Sequence, residues 1–295
     1  MRKFLYISLS LVFMLTSCEV ESPNLPETAA PEEFEGGLKA PSKWSTVFFD
    51  GFNSGSNIND KWNRTDRKDY NSQICNYKPG NVSLATIDRK QCLRLTARKF
   101  RNQYRSGHVK SKFRYAPKRN EEYRIRASIK LVARSGNAFK GFGQTYGAWP
   151  AFWTVQEDRW PTRGEIDIME GYSYSPDAPH FSSNLFYGDK ERVNILDQNS
   201  EQELTVSEGW HTYEMRWRNN AGTVTLQIFL DGTRQRTYTN KLKNVKLQNF
   251  GPHNIILNLN VGSDASFGIF DNSKINLFTN TFMYVDFVRV ERRTL

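Results

Sequence analysis

Apolar residues recur at every second position along much of this chain, and that period excludes most folds. Tyr123, Ile125, Ala127, Ile129 and Leu131 alternate with Arg124, Arg126, Ser128 and Lys130. His211, Tyr213, Met215 and Trp217 alternate with Thr212, Glu214 and Arg216. Val224, Leu226, Ile228 and Leu230 alternate with polar or aromatic neighbours and stop at Asp231-Gly232, a hairpin-type pair. Leu257, Leu259 and Val261 are interleaved with Asn258 and Asn260, and Leu93, Leu95 and Ala97 add a further run. Successive strand side chains point to opposite faces of a sheet, so a period of two is the mark of a half-buried strand. No segment of ten or more residues has a helical period, and no internal repeat suggests a propeller. The expectation is an all-β sandwich or jelly roll.

The first residues read as an address. Arg2 and Lys3 precede a mostly apolar run, Phe4 to Leu15, too short to span a bilayer comfortably and suited to a secretory signal. A short buried N-terminal element is the alternative. The run ends Leu15-Thr16-Ser17-Cys18, which resembles the bacterial lipobox. That resemblance implies removal of residues 1–17, lipidation of Cys18, and a cell-envelope protein on the periplasmic side or the outer-membrane surface. Residues 18–41 carry Pro23, Pro26, Pro31 and Pro41, two adjacent Gly and six Glu without an apolar period, and read as an acidic flexible tether. Residues 42–295 form the folded body. The whole chain has 41 Lys and Arg against 31 Asp and Glu. Taking away the three basic and six acidic residues of positions 1–41 leaves 38 against 25, so the body carries +13.

Such a charge suits nucleic acid, an anionic polysaccharide or an anionic membrane surface. No nucleic-acid module or phosphate loop is present, and export opposes that partner. Aromatic residues make up 14% of the chain, which rules out disorder for most of it and supplies rings on which sugars could stack. Cys75 and Cys92 remain once Cys18 is assigned to the lipid. They read as a disulfide or as two buried thiols, and no Cys/His cluster suggests zinc.

The most informative segment is Gly164-Glu165-Ile166-Asp167-Ile168-Met169-Glu170-Gly171. On a regular strand Glu165 and Asp167 share one face, and Glu170 falls on the Ile face. There an unpaired carboxylate would cost several kcal/mol. One extra residue near Met169, a β-bulge, returns Glu170 to the face of Glu165 and Asp167. Three convergent carboxylates suit glycoside hydrolysis by a nucleophile and an acid/base, with the third tuning their pKa values. An exposed acidic strand or a calcium site are the alternatives, though calcium prefers loop oxygens.

Several segments together resemble glycoside hydrolase family 16. Glu165-Ile166-Asp167-Ile168-Met169-Glu170 resembles its bulged E-x-D-x-x-E signature. Trp149-Pro150-Ala151-Phe152-Trp153 resembles the W-P-A-x-W strand, and Trp160-Pro161 followed by Gly164 resembles the approach to the catalytic strand. Ser106-Gly107 through Lys112, Trp210-His211-Thr212-Tyr213 with Trp217, Asn258 to Gly262 and Val285 to Val290 resemble further family strands. The resemblance runs from about Trp44 to Arg292. It implies a curved β-sandwich jelly roll with an open substrate cleft and retaining, endo-acting cleavage of a β-linked polysaccharide. By position it makes Glu165 the nucleophile, Glu170 the general acid/base and Asp167 the assisting carboxylate. Trp149, Trp153 and Trp160 become candidates for sugar stacking. No cofactor is implied for catalysis. Members that hold a structural calcium do so partly through the residue matched here by Asp286, which otherwise simply closes a strand.

One departure bears on substrate. Many bulged members that cut β-glucans carry Thr-x-His on the next strand, where this chain has Asn184 and Phe186. Asn184 then becomes the substrate contact, with His180 as a neighbouring substitute. The signature wording favours a β-1,3- or mixed β-1,3/1,4-glucan. The basic body and missing His favour a sulfated red-algal galactan of porphyran, agar or carrageenan type. A non-catalytic glycan-binding protein would need the groove without the acids. A monomer is expected.

Overall fold

In the computed structural model the described residues are 42–295, apart from 54, 73, 136–137, 143–144, 173–179, 189–194, 197–201, 206–208, 242–244, 266–267 and 276–279. The signal, the tether and Cys18 lie outside them. Twenty strands run in the order β1 Ser45–Asp50, β2 Trp62–Arg64, β3 Arg67–Lys68, β4 Cys75–Tyr77, β5 Val82–Ile87, β6 Lys90–Phe100, β7 Gln103–Ser106, β8 His108–Tyr115, β9 Glu121–Ser135, β10 Ala138–Gly141, β11 Ala148–Val155, β12 Glu165–Tyr172, β13 His180–Tyr187, β14 Ile195–Leu196, β15 Gln202–Thr205, β16 Trp210–Asn220, β17 Thr223–Leu230, β18 Thr233–Thr239, β19 His253–Val261 and β20 Asn280–Thr294. Among the described residues the only α-helix is the single turn Ile58–Lys61. The all-β expectation is met.

The strands form two sheets. The larger has the order β18-β17-β16-β9-β20-β6-β7-β4-β3, with β1 on β20, β10 on β9 and β5 on β6. The smaller has the order β14-β13-β12-β11-β19-β8-β2, with β15 on β13. The alternating apolar residues of both sheets meet in one core. Tyr123, Ile125 and Ile129 of β9, Met215 and Trp217 of β16, and Val288 and Val290 of β20 pack with Phe152, Ile166, Ile168, Leu185, Leu257 and Leu259 of the smaller sheet.

The opposite face of the larger sheet explains part of the basic excess. Glu291 accepts from Arg124 at 2.9 Å and from Arg126 at 2.7 Å, and Glu122 accepts from Arg293 at 2.6 Å. Arg124 and Arg293 also lie 4.6 and 4.5 Å from the Trp44 ring centroid. Two of these pairs, Arg124 with Glu291 and Arg293 with Glu122, are residues set directly opposite each other on β9 and β20. Cys75 and Cys92 are both free and buried, so of the two readings the structure contains two thiols. Burial pushes the Cys92 thiol up to about 11.

Near β1, Trp62 is fully buried between Phe48 and Phe52, and its indole N–H donates to Asp50 Oδ2 at 2.8 Å. Asp50 is itself 5% exposed. Trp62→Ala therefore opens a large cavity and removes a donor from a buried carboxylate. Denaturant unfolding should show a loss of about 3–5 kcal/mol. A loss below about 1 kcal/mol would show that this corner contributes little to the fold.

Candidate active site

The acidic strand β12 lies between β11 and β13, and its register slips against both. On the β13 side Glu165, Ile166 and Asp167 face Phe186, Leu185 and Asn184; the shift then places Glu170 opposite Ser182. On the β11 side Glu165, Asp167 and Glu170 face Val155, Trp153 and Ala151. Directly opposed residues share a face. Val155, Trp153 and Ala151 are separated by two positions each, as are Phe186, Asn184 and Ser182, so the three carboxyls lie on one face. Ile166, Ile168 and Met169 are all fully buried in the core on the other side.

Glycine fixes the entry to this strand. Gly164 has φ +76°, a left-handed conformation, and a Cβ there would sit 2.5 Å from the Phe250 ring. No other residue lets the chain turn into Glu165 while Phe250 stays against Tyr187, with ring centroids 6.0 Å apart.

Continuing the pairing across the sheet gives three rows. One runs Phe186, Glu165, Val155, Asn254, Arg114, and the next Asn184, Asp167, Trp153, Ile256, Lys110, Asn63. The third runs Ser182, Glu170, Ala151, Asn258, His108. The carboxyls thus occupy successive rows, flanked by polar and aromatic side chains.

Their partners differ. Glu170 is the best provided: Trp149 Nε1 donates to Oε1 at 2.9 Å and Asn184 Nδ2 donates to Oε2 at 2.6 Å. Asp167 is 3% exposed, and its Oδ2 has no hydrogen-bond partner. Burial first, then the charges of Glu170 and Glu165, hold its carboxyl well above the ordinary range. Glu165 is pushed up by burial and then by Glu170. The Trp160 indole N–H, which makes no hydrogen bond of normal geometry, faces Glu165 and pulls the other way. As the side chains stand, Glu170 receives a donor at each oxygen, while Glu165 and Asp167 hold protons more tightly than free carboxyls do.

The aromatic residues divide. Trp153 and Trp160 are partly exposed; Trp153 is paired with Asp167, and Trp160 faces Glu165. The Trp153 indole donates to Asn258 Oδ1 at 2.6 Å, and Asn258 donates on to Tyr77. Trp149 departs from the sugar-stacking expectation: it is 6% exposed, packs edge-on against Phe270, and has too little free ring for a sugar. Asn184 departs likewise. At 4% exposure it is committed to Glu170 and Ser182 rather than offered to substrate. His180 pairs with Tyr172 in the ladder, and its side chain lies outside those described.

Residues that the sequence reading did not single out complete the surroundings. Glu157, on the turn after β11, accepts from Tyr70 Oη at 2.7 Å and from Lys110 Nζ, with Arg67 3.6 Å away. It also adds a little to the upward push on Glu165. Asn258 carried a faint signal, an amide repeated with Asn260 inside an apolar strand; Glu157 and Tyr70 sit in turns with none. Asp286, the calcium expectation, sits at a register shift of β20, and its carboxylate pairs with Lys90 Nζ. Among the described residues no three His, Cys, Asp or Glu side chains converge as a metal set.

Comparison with known proteins bears on the family and the fold. The sequence model described as glycosyl hydrolases family 16 matches residues 70–269. An endo-1,3-β-glucanase from Streptomyces sioyaensis superposes with a TM-score of 0.67 at 21% identity, covering 86% of this chain and 98% of that one. A family 16 protein of the Bacteroides ovatus mixed linkage glucan PUL, in complex with a G4G4G3G product, gives 0.64 at 25% identity over 83% and 99%. The laminarinase catalytic domain from Thermotoga maritima gives 0.62 at 19% over 85% and 98%. An endo-1,3(4)-β-glucanase of Emericella nidulans is 69% identical over 29 residues, 10% of this chain and 4% of that protein.

The raised carboxyls give a stability prediction. A native pKa above the unfolded value means the folded chain binds a proton that the unfolded chain releases. Stability is then lost as pH rises from the ordinary carboxylate range, about 4, toward the native pKa. Asp167→Asn, which removes the charge and keeps the shape, should raise the thermal midpoint at about pH 7 and leave it unchanged below about pH 4. Melting curves across that range test this; an equal shift at every pH would refute the electrostatic origin.

Proposed function

Because the chain belongs to glycosyl hydrolases family 16, we propose that it is a retaining, endo-acting hydrolase of a β-linked polysaccharide. The proposed substrate is a β-1,3- or mixed β-1,3/1,4-glucan. The observation that carries this reading is the placement of Glu165, Asp167 and Glu170 on one face in successive rows. Glu165 in its ionised form, which the facing Trp160 N–H favours against the upward push of burial, attacks the anomeric carbon from one side of the sugar. Glu170 protonates the departing glycosidic oxygen and then, as a base, takes a proton from the water that frees the glycosyl enzyme. Asp167 sits between them, and its neutral form limits the repulsion among three like charges. Trp153 and Trp160 offer apolar ring faces to sugar C–H groups. The glucan assignment is supported by what the similar glucanases act on and by the signature around Glu165.

A sulfated galactan is the second reading. It is favoured by the +13 body, since guanidinium and ammonium groups pair with sulfate oxygens.

Purified protein incubated with laminarin, mixed-linkage glucan, agarose and porphyran should release oligosaccharides from the glucans; release from the galactans alone would overturn the glucan assignment. Glu165→Gln and Glu170→Gln should each lower turnover by about 10²–10⁴-fold or more with melting temperature retained. A variant retaining wild-type activity would remove that residue from its role. Early product examined by proton NMR should carry the β configuration.

We also propose that the protein is an exported lipoprotein, with Cys18 as the anchored residue and residues 18–41 as its spacer. Cys18→Ala should move the protein from the membrane fraction to the soluble fraction of the cell envelope. Continued membrane association would refute the anchor.

A further inference from the structure

Two buried oxygens in the site lack a donor, and they belong to side chains that face each other. Asp167 on β12 is paired directly with Asn184 on β13. Among the described residues neither Asp167 Oδ2 nor Asn184 Oδ1 has a hydrogen-bond partner. Opposed residues on one face of an antiparallel pair have Cβ atoms about 4.5–5.5 Å apart, within reach of these short side chains. Buried acceptors left bare on two opposed side chains are costly, and a proton shared between them would satisfy both. Asn has no acidic proton to give, so that proton belongs to Asp167. The other end of the amide is committed, with Nδ2 donating to Glu170 Oε2 at 2.6 Å and to Ser182 Oγ at 2.9 Å.

We propose that Asn184 joins Asp167 and Glu170 into one proton-sharing unit. In the resting site Asp167 carries the proton and donates it to Asn184 Oδ1, while Asn184 Nδ2 donates to ionised Glu170. A half-turn of the amide reverses both bonds. Oδ1 then accepts from protonated Glu170, and Nδ2 donates to ionised Asp167. One proton leaves Asp167 and arrives at Glu170 through water, and only O–H bonds break and form. An amide suits this place because it offers one donor end and one acceptor end of equal reach. The inference rests on the reading of Glu170 as acid/base, and it supplies what that role needs, a partner for each protonation state. Asn184 acts through the carboxyls and is a positioning residue.

The test combines infrared spectroscopy with pH profiles. At neutral pH the wild-type protein should show a protonated-carboxyl band that is lost in Asp167→Asn and shifted in Asn184→Leu. In the profile of kcat/KM on the glucan that the wild type cuts, Asn184→Leu should move the basic limb to higher pH, because ionised Glu170 has lost a donor. Activity should fall about 10-fold or more. Asn184→Gln, which keeps both amide ends, should restore part of the profile. Absence of an Asp167-dependent band overturns the proposal, and so does an Asn184→Leu profile that is lowered without being displaced. Should the leucine variant not fold, the Asp167→Asn spectrum and the Asn184→Gln profile decide. Wild-type activity in Glu170→Gln would instead remove the acid/base reading, while the infrared band would still show where the proton resides.

Discussion

The placement of charge in this protein depends on one register slip. β12 is flanked on both sides, and its core face carries Ile166, Ile168 and Met169, all fully buried. A regular ladder would send Glu170 into that apolar layer, where an unpaired carboxylate costs several kcal/mol. The slip occurs between Asp167 and Glu170 against β13 and between Phe152 and Trp153 against β11. Both neighbours count the same extra residue, so the strand cannot slide without exchanging core and site side chains. Gly164 and Phe250 hold its beginning, and the apolar layer holds its middle.

Once three carboxyls share a face, what distinguishes them is the supply of donors. Among the described residues, both oxygens of Glu170 receive one, Glu165 has the imperfectly aligned Trp160 N–H, and one oxygen of Asp167 has none. Uneven solvation by the protein separates groups that would otherwise titrate alike. The partners come from different elements: Trp149 from β11, Asn184 from β13 and Trp160 from the turn between β11 and β12. Glu157 extends the pattern outward, with Tyr70, Lys110 and Arg67 gathered around a fourth carboxylate.

Strand identity was legible because period-two alternation is a local property. Ile125, Met215 and Leu226 are buried as their spacing implies. The grouping of Glu165, Asp167 and Glu170 was legible too, since burying a carboxylate on an apolar face is penalised wherever the strand lies. Trp149 and Asn184 were read as substrate contacts because nothing local says that a neighbouring strand supplies Glu170 to their donor ends. Asn258 looked like the exposed half of an alternating strand, yet β19 is buried along its whole length under Trp153, Tyr77 and adjoining segments. Burial by another element, and the pairing of Lys90 with Asp286 across 196 positions, are long-range facts with no signature in a single window.

The position of β20 in the larger sheet has a consequence for how the chain reaches this state. It is the last strand in sequence, yet it lies between β9 and β6 and also carries β1. Ser45 is opposite Arg292, so the first and last strands are neighbours. The sheet therefore cannot close around its middle until its most C-terminal strand has been synthesised. Until then β9 and β6 each keep an unpaired edge. Assembly dominated by such distant pairings is slow. Until its last strand arrives, a chain of this topology presents both of those edges to any other strand that comes near.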